Sequence, residues 1–91
     1  MNVCTFVGDI SRLEDFGSYA EIDIDVPEYY TNSRGEKKVD WTVVPCRAYS
    51  TAGEYLTKNA RRGDHIAVRA MYISGGYQHV FRVNEFKIIK D

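Results

Sequence analysis

Two prolines, two cysteines, two histidines and one tryptophan are all that this 91-residue chain holds of the residues that most constrain a fold or carry chemistry. No apolar run approaches the roughly 20 residues of a membrane span. The opening, Met1-Asn2-Val3-Cys4-Thr5-Phe6, has no basic stretch leading into an apolar one, so it does not read as a secretory signal. These absences point to a cytoplasmic protein with no membrane partner. Cys4 and Cys46 lie in apolar surroundings with no short spacing between them; two buried thiols in a reducing compartment fit better than a disulfide, which remains open. His65 and His79 lack a cysteine or carboxylate at metal-ligand spacing, so no metal site is expected. Gly75-Gly76 has no helix behind it and cannot be a phosphate loop. Glu21, Asp23 and Asp25 stand two apart on one strand face, which can imitate a divalent-metal or acid–base site. A solvated strand face accounts for them better. No residue is nominated as a nucleophile, so neither catalysis nor a cofactor is expected.

Length allows one small domain, residues 1–91, near the lower limit for burying an adequate core. Hydrophobic residues make up 44% of the chain, which is ordinary for a globular protein. The formal charge of −1 gives no bulk attraction to polyanions. Its distribution is uneven. Residues 1–30 hold one base, Arg12, and seven acids, a net of −6; residues 31–91 hold eleven bases and six acids, a net of +5. A local field can therefore attract phosphates although the total is near zero.

Strand patterns dominate. Val3 to Val7 is β-branched and aromatic, with Gly8 closing it, and Ser11 to Ser18 reads as a polar loop. Ala20, Ile22, Ile24 and Val26 alternate with Glu21, Asp23 and Asp25, the period-two signature of a strand with one buried face. Pro27 should end its pairing on one side. Asn32-Ser33-Arg34-Gly35 is a turn, and Lys38 to Arg47 resumes as a strand in which Pro45 implies an edge or a bulge. Thr51-Ala52-Gly53-Glu54 fits a helix capping box, with the helix running to about Asn59. His65 to Ile73 and Tyr77 to Ile89 are two further strands, joined by a tight turn at Gly75-Gly76. Five strands with one helix between the third and fourth is the order of an all-β OB-fold, a five-stranded Greek-key barrel used for oligonucleotides and oligosaccharides.

The segment with the most chemistry is Tyr29-Tyr30-Thr31-Asn32-Ser33-Arg34-Gly35-Glu36-Lys37-Lys38-Val39-Asp40-Trp41. Aromatic rings flank a polar tip carrying three cations. Rings can stack on unpaired bases while cations track phosphates, and a duplex offers no base faces to such rings. If Thr42, Val44 and Cys46 point into the barrel, then Trp41, Val43, Pro45 and Arg47 point out. Trp41 is therefore the leading stacking residue. Tyr29 and Tyr30 are neighbours on a strand and face opposite ways, so only one of them is expected to stack. Tyr72 is a further stacking candidate, flanking the Gly-Gly turn with Tyr77; cross-strand packing is the competing account of both. Arg34, Lys37 and Lys38 are phosphate candidates, and Arg47, Arg69 and Arg82 extend the track if they share its face. Arg61 and Arg62 are better explained as cations at a helix C-terminus.

At these residues the chain resembles the bacterial single-stranded-DNA-binding protein family. The opening Met1-Asn2-Val3 through Phe6-Val7-Gly8-Asp9-Ile10 is similar to that family's first strand. Tyr30-Thr31-Asn32 through Gly35-Glu36-Lys37 to Asp40-Trp41 is similar to the hairpin between its second and third strands, where aromatics occupy both ends, and this implies Tyr30 as the stacking member of its pair. Pro45-Cys46-Arg47-Ala48-Tyr49 resembles its third-strand exit, which implies Tyr49 as a further stacking residue, with packing over the helix that begins at Thr51 as the competing account. Arg61-Arg62-Gly63-Asp64 resembles the turn that opens its fourth strand. The resemblance implies a barrel that associates into homodimers or homotetramers and wraps single-stranded DNA over exposed aromatics. Three features depart from it. The loop between the fourth and fifth strands is cut to Gly75-Gly76, and Asp91 follows the last strand directly, so no tail for recruiting repair partners is expected. The acids of the second strand lie close to where DNA would pass.

The expected function is non-enzymatic, sequence-tolerant binding of single-stranded DNA in replication, recombination or repair, at the nucleoid, with RNA as a possible substitute ligand. One rival is a primosome-type OB dimer, resembling PriB, that assists replication restart. Another is an interaction protein that keeps the barrel without the ligand, a reading motivated by the acidic second strand.

Overall fold

The protein is described by a computed structural model covering residues 3–75 and 78–89. Its elements are β1 (Val3–Asp15), β2 (Tyr19–Thr31), β3 (Lys37–Tyr49), α1 (Ser50–Asn59), β4 (His65–Gly75) and β5 (Gln78–Ile89). They close into a barrel in the order β1-β2-β3-β5-β4. Every ladder is antiparallel except β3–β5, which is parallel and joins only Cys46 to Phe81 and Arg47 to Arg82. This is the five-stranded OB barrel with its helix between the third and fourth strands. No helix among the described residues is long and apolar enough to cross a membrane.

The alternation in β2 does what period two requires. Ala20, Ile22 and Ile24 are buried, and they meet Val44, Cys46 and Ala48 of β3, Ile66, Val68 and Ala70 of β4, and Leu56 of α1. Both cysteines are free thiols. Burial pushes the Cys46 thiol up to about 12, so it stays protonated and packs as a small hydrophobe.

The first loop is shorter than its polarity suggested. β1 continues through Ser11 to Asp15, leaving only Phe16, Gly17 and Ser18 between the strands. A register shift between Ile10 and Arg12 is the physical reason. It bends β1 so that Val3–Asp9 pairs with β4 while Asp9–Asp15 pairs with β2. The capping box does not form. Tyr49 is the N-cap residue and makes no side-chain cap bond, because Ser50, at φ +54°, turns the chain straight from β3 into the helix. The prolines behave as edge residues. β2 pairs with β1 only as far as Asp25, so Pro27 faces β3 alone, and Pro45 lies just before the short β3–β5 contact. Gly76 of the expected turn and Tyr77, the expected start of the last strand, lie outside the described residues; the strand is described from Gln78, which pairs with Gly75.

Candidate nucleic-acid interface

Beyond Asp25, β2 and β3 leave the barrel together as a two-stranded ribbon that pairs as far as Thr31 and Lys37. Its tip is tightly held. The Asn32 side-chain oxygen accepts from the backbone N–H of Arg34 (2.9 Å) and of Glu36 (3.0 Å), while Gly35 N–H donates to the Asn32 carbonyl. The Arg34 side chain is left exposed at the end of a fixed turn.

Residues directly opposite one another share a face. Pro27–Trp41 and Tyr29–Val39 therefore lie on the outer face, continuous with the outside of the barrel, and Glu28–Asp40 and Tyr30–Lys38 on the reverse. Of the two adjacent tyrosines, Tyr29 is the one that joins Trp41. It is 76% exposed and Trp41 55%. Tyr30 sits behind them, beside Lys38, whose ammonium lies 3.8 Å from the Glu36 carboxylate. The signal was present in the sequence: the even-numbered parity of Ala20 to Val26 runs unbroken through Pro27 and carries Tyr30 to the inward side. Lys37 shares the face of Trp41. Thr42 is exposed despite its inward parity, because the barrel interior ends at Val44.

Trp41 and Tyr29 form one wall of an open groove of about 260 Å³, with Pro27 beside them and Val7, Gly8, Asp9, His65 and Ile89 opposite. The His65 ring nitrogen Nδ1 hydrogen-bonds the Asp9 carboxylate within this groove. The two residues face each other across the β1–β4 ladder, 56 positions apart in the chain, so no sequence spacing announces them. No group of metal-ligating side chains is found among the described residues.

The remaining candidates lie elsewhere. Arg47 is held by Glu21 (Nε 3.2 Å, Nη2 3.1 Å) and covers the Tyr19 ring at 4.9 Å, so its charge is already engaged. Tyr49, 40% exposed, is eight residues along β3 from Trp41, roughly 26 Å at strand rise. There it joins a second aromatic row with Tyr19 (5.8 Å), on which Phe16 stacks at 5.2 Å. Tyr72 pairs across the β4–β5 ladder with Phe81, ring centroids 5.3 Å apart. Arg69 and Arg82 share the outer face of β4–β5, where Arg69 lies 3.8 Å from Glu85.

The acids of β2 are partly neutralised by Arg12, which reaches Glu14 (2.6 Å), Glu21 (2.9 Å) and Asp23 (3.0 Å). The Arg12 guanidinium, and secondarily Arg47, holds the Glu21 carboxyl below its usual range against the opposing effect of burial. A lowered carboxylate pKa stabilises the fold above the unfolded-state value, and that contribution disappears as pH falls through the folded-state value. Arg12→Gln is therefore expected to be less stable than the parent protein at pH 7, with the gap closing as pH falls below the ordinary glutamate range. Urea unfolding at a series of pH values would measure this; a gap independent of pH would remove Glu21 from the explanation.

No protein-family profile and no curated protein sequence matches the chain. Its fold is shared by solved structures of low sequence identity. A small single-stranded DNA-binding protein from Streptomyces coelicolor superposes with a TM-score of 0.68 at 12% identity, over 98% of this chain and 95% of the other. The Plasmodium falciparum SSB in complex with ssDNA gives 0.67 at 13%, over 98% and 93%. PriB from Ralstonia solanacearum gives 0.66 at 5%, over 97% of each.

Proposed function

We propose that the protein binds single-stranded DNA without strong sequence preference, stacking bases on Trp41 and Tyr29 and drawing phosphates to Lys37 and Arg34. The observation that carries this is the groove. It sets two largely exposed rings on one face of a ribbon whose tip is cationic, on a barrel shared with single-stranded-DNA-binding proteins. Every base has a π-face, so stacking tolerates sequence. Tyr30 and Lys38 offer a secondary contact on the reverse face, and Tyr49 and Tyr72 lie too far along the barrel to touch the same nucleotides. Self-association into a homodimer or homotetramer is part of this reading. Among the described residues, the β2-side edge of β1 has no partner from Val3 to Gly8, and Val3 and Val7 on it are exposed. An unpaired edge is a ready template for another strand.

The test is a fluorescence titration with a thymidine oligomer of about 30 nucleotides. Trp41 is the only tryptophan, so its emission reports this groove. Saturable quenching that weakens as salt rises is expected. No quenching and no mobility shift at low salt would leave the barrel as an interaction module with Trp41 at a protein interface.

A further inference from the structure

From the Trp41 groove a bound strand has two ways to continue, and their charges differ in sign. One way runs along the outside of β2, past Asp25, Asp23, Glu21 and Glu14. Arg12 and Arg47 are the cations there, so four carboxylates face two guanidinium groups, both already paired. The other way crosses the outside of β4 and β5. Ile89, a wall of the groove, is two residues from Lys87 on the same strand, and the same face then carries Glu85 opposite Arg69 and Arg82 opposite Met71. Among the described residues, three cations face one carboxylate there. Arg69 and Glu85 are 58% and 72% exposed, so their 3.8 Å pairing is a weak solvated contact that leaves the guanidinium free to turn to a phosphate. A shallow depression of about 240 Å³ lies between them, lined also by Thr5 and Lys87.

We propose that the outer face of β4–β5, through Lys87, Arg69 and Arg82, is a phosphate track along which single-stranded nucleic acid continues from the Trp41 groove. Ile89 to Arg82 covers seven residues, roughly 23 Å of strand. A second copy of the chain is the poorer occupant, because a symmetric contact on this face would set the same cations against themselves. The inference rests on the Trp41 groove being a base-stacking site.

The test compares the protein with the triple variant Arg69→Gln/Arg82→Gln/Lys87→Gln. Thymidine oligomers of about 5 and about 30 nucleotides are titrated while Trp41 emission is read. All three positions are exposed, so the fold should survive; circular dichroism checks it. For the long oligomer, the slope of log affinity against log salt should flatten by about 2, from three lost contacts at about 0.7 each. Binding of the short oligomer should be unchanged. Glu85→Gln should act with the opposite sign, strengthening long-oligomer binding several-fold. An unchanged slope in the triple variant overturns the track and leaves the groove standing. A change in oligomeric size without a change in slope also overturns it, making the face a self-interface. If the parent protein quenches with neither oligomer, the groove itself fails and the track with it.

Discussion

Replacing Trp41 by alanine is expected to weaken single-strand binding by about 5- to 150-fold, the range that loss of one stacked base partner covers. The upper part of that range is expected, because indole is the largest face a protein can offer. The substitution removes the reporter along with the ligand contact, so affinity must be read from the oligonucleotide, for instance by anisotropy of a labelled strand. Stability should change little, since more than half of the side chain is already in water. Tyr29→Ala should weaken binding in the same direction, and Tyr30→Ala should weaken it less. That ordering follows from the register alone: Pro27 opposite Trp41 and Tyr29 opposite Val39 place the two rings on one face. Unchanged affinity in Trp41→Ala would end the site assignment. Equal losses in the two tyrosine variants would instead show that the strand grips both faces of the ribbon.

Gly8→Ala is expected to cost about 3 kcal/mol or more, at the upper end of what overpacking does. A Cβ at this position would stand 2.1 Å from the Asp25 carbonyl oxygen and 2.9 Å from its carbon. Both are backbone atoms and cannot rotate away. Gly8 lies where β1 leaves its partnership with β4 for that with β2, immediately before the Asp9–Asp25 pair. A side chain there must either push the two strands apart or displace the bend. Against a total stability of about 5–15 kcal/mol for such a domain, the loss should be plain in urea unfolding. Because Gly8 also lines the groove, a folded Gly8→Ala protein should bind single strands more weakly as well. A variant within about 0.5 kcal/mol of the parent would show that β1 moves more freely than this packing allows.

In the sequence, Ser11–Ser18 reads as a loop and Gly8 as a strand end, and the structure departs from both on the same segment. Polar residues and a glycine look like punctuation when read locally. Here they continue a strand, since Arg12 is satisfied by Glu21 and Asp23 of the neighbouring strand and Gly8 is small because another backbone passes over it. The helix start differs from the local pattern for a related reason. Thr51 and Glu54 have the right spacing for a cap, but the chain enters the helix two residues earlier, directly from β3, with Tyr49 as the N-cap.

What the sequence alone determined was the order of the strands and the facing of most side chains within them. Alternation at period two is a local property, and the burial of Ile22, Ile24, Val44 and Cys46 follows from it. So does the exposure of Trp41, and the facing of Tyr29 is legible too, because the alternation of β2 runs unbroken through Pro27. Tertiary structure alone decided which faces meet. Asp9 against His65, Arg12 between three carboxylates, Arg47 turned to Glu21, and Lys87, Arg69 and Arg82 aligned beyond Ile89 all depend on the bulge in β1 and the closure of the barrel. Register is fixed by long-range pairings acting together, and a one-residue slip would exchange every inward side chain for an outward one.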